Sequence, residues 1–223
     1  MRRALGRGIL MLLVLVLTTT GVNVRADDES DWRELQETPR DLGWVLIRAD
    51  KLRHIRIFSK IEEGQRLRSM KAEAELEASV EQVTRTLTDF PAFSNWLWNL
   101  KSIRVVRQVA PGEWLLYLVF RTPGGLPDRD VMLRYEVQTP GNPRHTLITA
   151  QDVPDFPVTD PAVVRIPAMS LTLRVEEAGK NRSRFSSQLQ VDPGGRVPVW
   201  AANFVQRRAP YATMLGLIRV LEP

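Results

Sequence analysis

The order of regular elements along the chain is the feature that most restricts its fold. Glycine and proline turns separate six consecutive segments with the apolar patterning of strands. These segments span 102–110, 113–121, 129–139, 145–152, 170–176 and 183–191. Short connections such as Pro111-Gly112 make neighbours into hairpins, which predicts an antiparallel sheet. A long helix follows from about Pro198 and must cover the apolar face, so the fold class is α+β.

This last helix has one apolar face and an internal proline. Spacings of four, seven, four and three residues place five side chains on that face: Trp200, Phe204, Tyr211, Leu215 and Ile218. Pro198 is tolerated in a first turn, where its missing N–H has no partner to lose. Pro210 cannot donate to the carbonyl of Gln206, which predicts a kink. We expect a curved antiparallel sheet wrapped around a long, kinked C-terminal helix.

Further strands are predicted before residue 77. Residues 43–48 and 54–60 read as strands after a short lead-in helix over 31–37. The stretch 66–77 is rich in helix formers. Its apolar residues nevertheless alternate with charged ones: Met70, Ala72, Ala74 and Leu76. Because a burial pattern usually overrides weak propensity, we predict a third strand there.

Two helical segments separate these strands from the six that follow. Ser79 and Gln82 form a capping box, which predicts a helix from residue 79 to about Asp89. Phe90-Pro91 ends that helix, and residues 92–97 are predicted to form a second, shorter one.

The first 26 residues have the three parts of a secretory signal peptide. Arg2, Arg3 and Arg7 precede an apolar run from residue 9 to 17, and Val24-Arg25-Ala26 fits a cleavage site. Nine apolar residues are too few to span a bilayer, although a retained anchor is the alternative. We therefore expect residues 1–26 to be a signal peptide, residues 27–223 to be one domain, and the protein to be periplasmic or extracellular.

Net charge and the absence of cysteine limit which partners and covalent links are expected for the exported chain. The full chain carries 31 basic and 26 acidic residues, but four of the arginines lie in the predicted signal peptide. The remainder is therefore close to neutral, and no nucleic-acid partner is predicted. The chain has no cysteine, so an N-terminal lipid-modified cysteine is excluded and disulfides cannot stabilise the fold.

Residues of the kinds that support familiar catalysis are sparse. The only histidines are His54 and His145, and no nucleophile-elbow or zinc-protease spacing is present. Asp152, Asp155 and Asp160 are separated by prolines and lack the dense ligands of a calcium loop. We predict a protein that is not an enzyme, with no metal and no cofactor.

Three features, in this order, resemble the START domains, the steroidogenic-acute-regulatory-related lipid transfer domains. They are Trp96 after the helix pair, Arg129-Asp130 at the start of a central strand, and DPGGRVPVWAANF at the start of the last helix. START domains have a helix-grip fold and belong to a superfamily that includes Bet v 1-like proteins and polyketide cyclases. The resemblance covers roughly residues 30 to 222.

The resemblance implies a deep apolar tunnel between sheet and helix that holds one lipid or sterol-like molecule. The candidate pocket residues are Trp96, Arg129, Val131, Leu133, Tyr135, Leu189, Phe204, Tyr211 and Leu215. Arg129 is either a polar group for the ligand or half of an ion pair with Asp130 or another carboxylate. We expect a monomer that binds and transfers such a molecule, with transient contact to a membrane surface.

The residues leave two alternatives open. The interior can be an ordinary filled core, in which case the domain is a surface interaction module. The same cavity could serve a polyketide-cyclase-like enzyme, whose acid–base groups would come from Arg129, Tyr135 or His145.

Two loops repeat a Pro-Gly-Gly sequence followed by a second proline. Residues 122–128, TPGGLPD, join two strands, and residues 192–198, DPGGRVP, join the last strand to the helix. The resemblance places both loops at the same end of the fold. We expect the second to be a tight turn, while the first is either another turn or a mobile lid.

Overall fold

The computed structural model describes residues 43–61, 68–139, 144–157 and 160–222. The predicted signal peptide and lead-in helix lie outside the described residues. Ten strands are described: β1 Val45–Asp50, β2 Ile55–Ile61, β3 Arg68–Leu76, β4 Leu100–Ala110, β5 Glu113–Phe120, β6 Arg129–Gln138, β7 His145–Asp152, β8 Val164–Arg165, β9 Ala168–Gly179 and β10 Arg182–Asp192. The helices are α1 Val80–Thr86, α2 Val199–Leu221 and the 3₁₀ segments Phe90–Asn95 and Pro123–Gly125.

Nine of the strands form one curved antiparallel sheet in the order β1-β2-β3-β10-β9-β7-β6-β5-β4. The long α2 lies against its concave face, which confirms the predicted helix-grip architecture. The short β8 was not predicted, because two residues inside a proline-rich loop carry no strand periodicity. It pairs parallel with the start of β6, where Arg129 lies opposite Val164.

Alternation, rather than helix propensity, decides the structure of β3. This strand pairs with β2 on one side and β10 on the other, so both of its backbone edges are satisfied. Its alternate residues are buried on the concave face: Met70, Ala72, Ala74 and Leu76. The capping box that follows is also confirmed, since Ser79 accepts from the backbone of Gln82 and the Gln82 side chain accepts from Ser79.

The predicted apolar face of α2 is wrong for the first two turns. Trp200 and Phe204 are 54% and 40% exposed, whereas Tyr211, Leu215 and Ile218 pack against the core. The first turns lie beside the loop 122–128, and Gly124 lies so close to the Trp200 ring that a Cβ there would overlap it. Trp200 therefore packs on a loop instead of the sheet.

The whole of α2 is one helix of 23 residues that starts at Val199 and continues through Pro210. Pro198 is its N-cap. Proline at position 210 removes one backbone hydrogen bond, and the kink remains a prediction. None of the described helices is long and apolar enough to cross a membrane.

Candidate ligand-binding site

The concave face of the central strands is mostly apolar between its ends, with three serine or threonine side chains and no charge. Strand register places these side chains on it: Trp114, Leu116, Leu118, Phe120, Val131, Leu133, Tyr135, Val137, Thr146, Ile148, Ala150, Met169, Leu171, Leu173, Val175, Ser183, Phe185, Ser187, Leu189 and Val191. Over β5, β6, β7, β9 and β10 the charged residues on this face occur at strand ends, namely Arg129, Asp152 and Glu177. The interior can therefore accept an uncharged, apolar molecule far more easily than an ion.

On β9 and β10, coverage of this face decreases toward the end at which α2 begins, whereas Leu118 and Val131 on β5 and β6 stay buried at that end. Val175 and Phe185, at the far end, are 0% and 3% exposed. Leu171, Leu189 and Val191, nearer the start of α2, remain partly exposed. The apolar side chains of β9 and β10 at this end are thus incompletely covered, and we call the region around these three residues the recess.

The residues that α2 buries differ along its length in a way that matches the recess. Its N-terminal part buries only Val199, Ala201 and Ala202, whereas its C-terminal part buries Met214 and Leu217. Small side chains fill less volume than large ones, so the helix covers the sheet least well near its start.

The candidate residues predicted from the sequence are spread over several environments. Val131, Leu133 and Tyr135 are fully buried on β6, and Leu189 and Leu215 are partly buried. The Tyr135 hydroxyl donates to the carbonyl of Leu87 at 2.8 Å, and burial raises the pKa of this phenol. That hydroxyl is therefore committed to holding the end of α1 against the sheet.

Two candidates on α2 lie away from the recess. The Phe204 ring lies 6.4 Å from the ring of Trp98 and is partly exposed. Tyr211 reaches the edge strand β1, where its hydroxyl donates to Asp50 at 2.6 Å. The guanidinium of Arg48 lies 3.3 Å from the centre of the Tyr211 ring. Tyr211 thus fastens the helix to β1.

Arg129 does not form an ion pair with Asp130, its neighbour on β6. Its Nε donates to the carbonyl of Pro193 at 3.4 Å, and its Nη1 donates to Thr122 and to the carbonyl of Pro127. Burial lowers the pKa of this arginine, an effect that Asp128 partly opposes. The alternative of an ion pair with Asp130 is therefore wrong, the role toward a ligand stays a prediction, and Arg129 joins the two Pro-Gly-Gly loops.

Asp130 pairs with a residue that the sequence analysis missed. Strand alternation turns its side chain to the convex face, where Arg165 of β8 donates to both carboxylate oxygens at 2.8 and 2.9 Å. Tyr117 donates to the same carboxylate at 2.8 Å. Burial raises the pKa of Asp130, but the hydrogen bonds from Arg165 and Tyr117 outweigh it and hold this pKa below the ordinary value.

The two Pro-Gly-Gly loops meet at the end of the sheet where α2 begins, as the resemblance implied. In the second loop, Gly194 has φ of +65° and lies against the carbonyl of Arg165, so a Cβ would not fit. In the first loop, Gly124 has φ of +72° and lies under the Trp200 ring, while Gly125 has open space around its Cα. The second loop is a packed turn, whereas the first is held at its ends, where Thr122 and Pro127 accept from Arg129, and meets the exposed Trp200 ring of α2 in its middle.

Of the remaining residues weighed in the sequence, the two histidines lie apart from the recess, whereas Asp152 lies beside it. His54 is exposed in the turn between β1 and β2, and His145 is at the far end of β7. Asp152 accepts from the backbone N–H of Met169 at 2.8 Å. Over the described ranges, no three His, Asp or Glu side chains converge as metal ligands would.

Comparison with known proteins agrees with this architecture. An uncharacterized protein of Pseudomonas aeruginosa is 20% identical over 221 residues, which is 97% of this chain and 98% of that protein. A crystal structure of a STAR-related lipid transfer protein fragment from Xanthomonas axonopodis superposes with a TM-score of 0.73 at 24% identity. That match covers 82% of this chain and 100% of the fragment.

Human STARD10 superposes with a TM-score of 0.70 at 22% identity, covering 87% of this chain and 79% of that structure. The family model of the START domain matches residues 27–210. This match spans most of the chain and includes the strands, both Pro-Gly-Gly loops and the first half of α2. The chain belongs to the START domain family.

Proposed function

We propose that this protein is exported and binds one lipid or sterol-like molecule in the recess, which it transfers between membranes as a monomer. The observation that carries the proposal is the incomplete cover of Leu171, Leu189 and Val191 beneath the start of α2. Burying apolar surface stabilises a complex by roughly 25 cal/mol per Å². A hydrophobic molecule would complete a core that the chain leaves unfinished.

The first Pro-Gly-Gly loop is the proposed lid. It contacts α2 through Gly124 and Trp200, and Arg129 donates to Thr122 and Pro127 at its two ends. Its middle therefore has fewer contacts than its ends. Movement of that middle part, together with the first turns of α2, would open the recess to a ligand.

The surface around the same opening suits a membrane. Trp200 and Phe204 are exposed, Trp98 lies beside Phe204, and Arg208 stacks over the Phe204 ring at 5.6 Å. No acidic residue occurs between positions 199 and 221. Aromatic side chains favour the membrane interface, and arginines attract anionic headgroups.

Binding is tested by filling the recess. Leu189→Trp should abolish binding of dehydroergosterol and of a nitrobenzoxadiazole-labelled fatty acid while leaving the melting temperature nearly unchanged. Leu133→Trp is the matched variant in the packed part of the sheet, where overpacking should cost about 1–3 kcal/mol. Absence of probe binding by the wild type, together with no co-purifying lipid in native mass spectra, would overturn the proposal.

Transfer and export need separate measurements. Movement of dehydroergosterol between liposomes should require the wild-type protein and should fall when Trp200 and Phe204 are both replaced by alanine. Cell fractionation should find a chain that starts at Asp27 outside the cytoplasm. The probe should be recovered chemically unchanged, since we propose carriage without turnover; a product that disappears in His145→Ala would favour an enzyme.

A further inference from the structure

The indole N–H of Trp96 is a buried donor without an acceptor. Trp96 is only 8% exposed, and its Nε1 has no hydrogen-bond partner among the described residues. Nearly all buried polar groups in proteins are paired, and an unpaired one typically costs about 1–3 kcal/mol. An exception of this kind requires an explanation.

The surroundings of Trp96 prevent the indole from finding a partner by moving. Its carbonyl oxygen lies where a Cβ of Gly216 would be, so α2 presses directly on the backbone of residue 96. The Phe93 ring packs edge-on against the indole, with centroids 4.7 Å apart. The indole belongs to the same apolar cluster as Leu116 and Met214.

Tyr135 shows how the interior treats a comparable polar group. Both residues are aromatic, buried and part of the same cluster, and both carry one polar hydrogen. The Tyr135 hydroxyl donates to a carbonyl of the chain at 2.8 Å, whereas the Trp96 N–H donates to nothing in the described chain. Among the buried donors of the described residues, the chain thus satisfies the Tyr135 hydroxyl and leaves the Trp96 N–H and the Ser183 hydroxyl without a partner.

We propose that Trp96 Nε1 donates a hydrogen bond to an uncharged oxygen of the ligand, such as a ketone, ester or hydroxyl oxygen. This inference rests on the proposed function and specifies the ligand class. An ionised group is disfavoured at this depth because the concave face carries charged residues only at the ends of the central strands. The ligand is then an apolar body with a neutral acceptor at its inner end.

The experiment compares two molecules that differ only in the acceptor, 2-tetradecanone and tetradecane, each delivered from cyclodextrin to ¹⁵N-labelled protein. The sequence contains six tryptophans, so Trp96→Phe identifies the Trp96 indole resonance by its absence. The ketone should move that resonance downfield, and the alkane should not. The ketone should also bind about tenfold more tightly, as expected for one buried hydrogen bond.

Trp96→Phe should abolish the preference for the ketone, whereas Trp44→Phe, a matched control whose ring lies beside Lys71, should retain it. This inference would be overturned if both compounds bound with equal affinity. It would also be overturned if the Trp96 resonance already reported a bound water and did not change when the ketone was added. Either result would leave hydrophobic binding intact. If neither compound binds to the wild type, the proposed function itself fails. The shift is measured in the wild type, so the result does not depend on the stability of the variants.

Discussion

The two halves of α2, on either side of Pro210, are held to the domain in different ways. Residues 211–221 are fastened by Tyr211 to Asp50, and Thr213 accepts from the backbone N–H of Trp98 at 3.4 Å. This half also buries large side chains. Residues 199–209 bury only Val199 and two alanines, and they expose two aromatic rings.

This difference separates two roles within one helix. The second half completes the hydrophobic core, so its removal should unfold the domain. The first half covers the recess with few contacts, which leaves it free to move at a small cost. Pro210 lies between the halves and removes one of the backbone hydrogen bonds that would otherwise connect them. Under the proposed function, stability and access to the ligand therefore depend on different turns of the same helix.

The largest effect is expected from Gly216→Ala in the fastened half. The new Cβ would overlap the backbone carbonyl of Trp96, which cannot move aside, so the free energy of unfolding should fall by about 3 kcal/mol. In an unobstructed helix the same change would stabilise by about 1 kcal/mol. Urea unfolding measures both sign and size.

Gly124→Ala is the matched variant beside the first half. Its Cβ would meet the exposed ring of Trp200, which can rotate away, so the cost should be only about 1 kcal/mol, mainly from the positive φ. Equal losses in the two variants would show that the halves of α2 are equally tightly held.

Arg129→Met tests whether this residue holds the two Pro-Gly-Gly loops in place beside the first half of α2. Loss of its hydrogen bonds to Pro193, Thr122 and Pro127 should lower the free energy of unfolding by about 2 kcal/mol and speed uptake of dehydroergosterol. Arg134→Met on the same strand removes an exposed arginine and should change stability by less than about 0.5 kcal/mol. Similar behaviour of the two variants would contradict the role given to Arg129.

Pro210→Ala should couple the two halves. Alanine restores an N–H that can donate to Gln206 and is about 3 kcal/mol more favourable than proline inside a helix, so stability should rise by up to that amount. Stopped-flow measurement should show slower uptake and release of dehydroergosterol, because the first turns then move only with the whole helix. Unchanged rates would show that the proline has no part in access to the recess.

Tyr211→Phe should have the smallest effect, one that is present at neutral pH and disappears in acid. The hydrogen bond from Tyr211 is the main reason that the pKa of Asp50 falls from 3.8 to about 2. A depressed carboxyl pKa adds stability above about pH 4 that is lost as the pH falls toward 2. The variant should therefore show a weaker fall in melting temperature across that window, and the difference should vanish in an Asp50→Asn background.

Local chemistry was sufficient to predict most elements. The capping box at Ser79 and the turns between strands need only neighbouring residues, so they can be read directly from the sequence. Alternation in β3 predicted its strand because burial on one face repeats every second residue. The family resemblance rested on ordered motifs, and the family match and the fold agree with it.

Residues far apart in the chain decided the rest. Arg165 reaches Asp130 from 35 positions away, and Arg129 reaches Pro193 from 64 positions away. Helical spacing identified an apolar stripe on α2 but could not show that Trp200 lies beyond the sheet, on Gly124. Periodicity reports which side chains share a face, whereas the partner of that face depends on how the chain folds back. The sequence by itself determined the helix-grip fold. Tertiary contacts decided which buried polar groups have a partner within the chain and which do not.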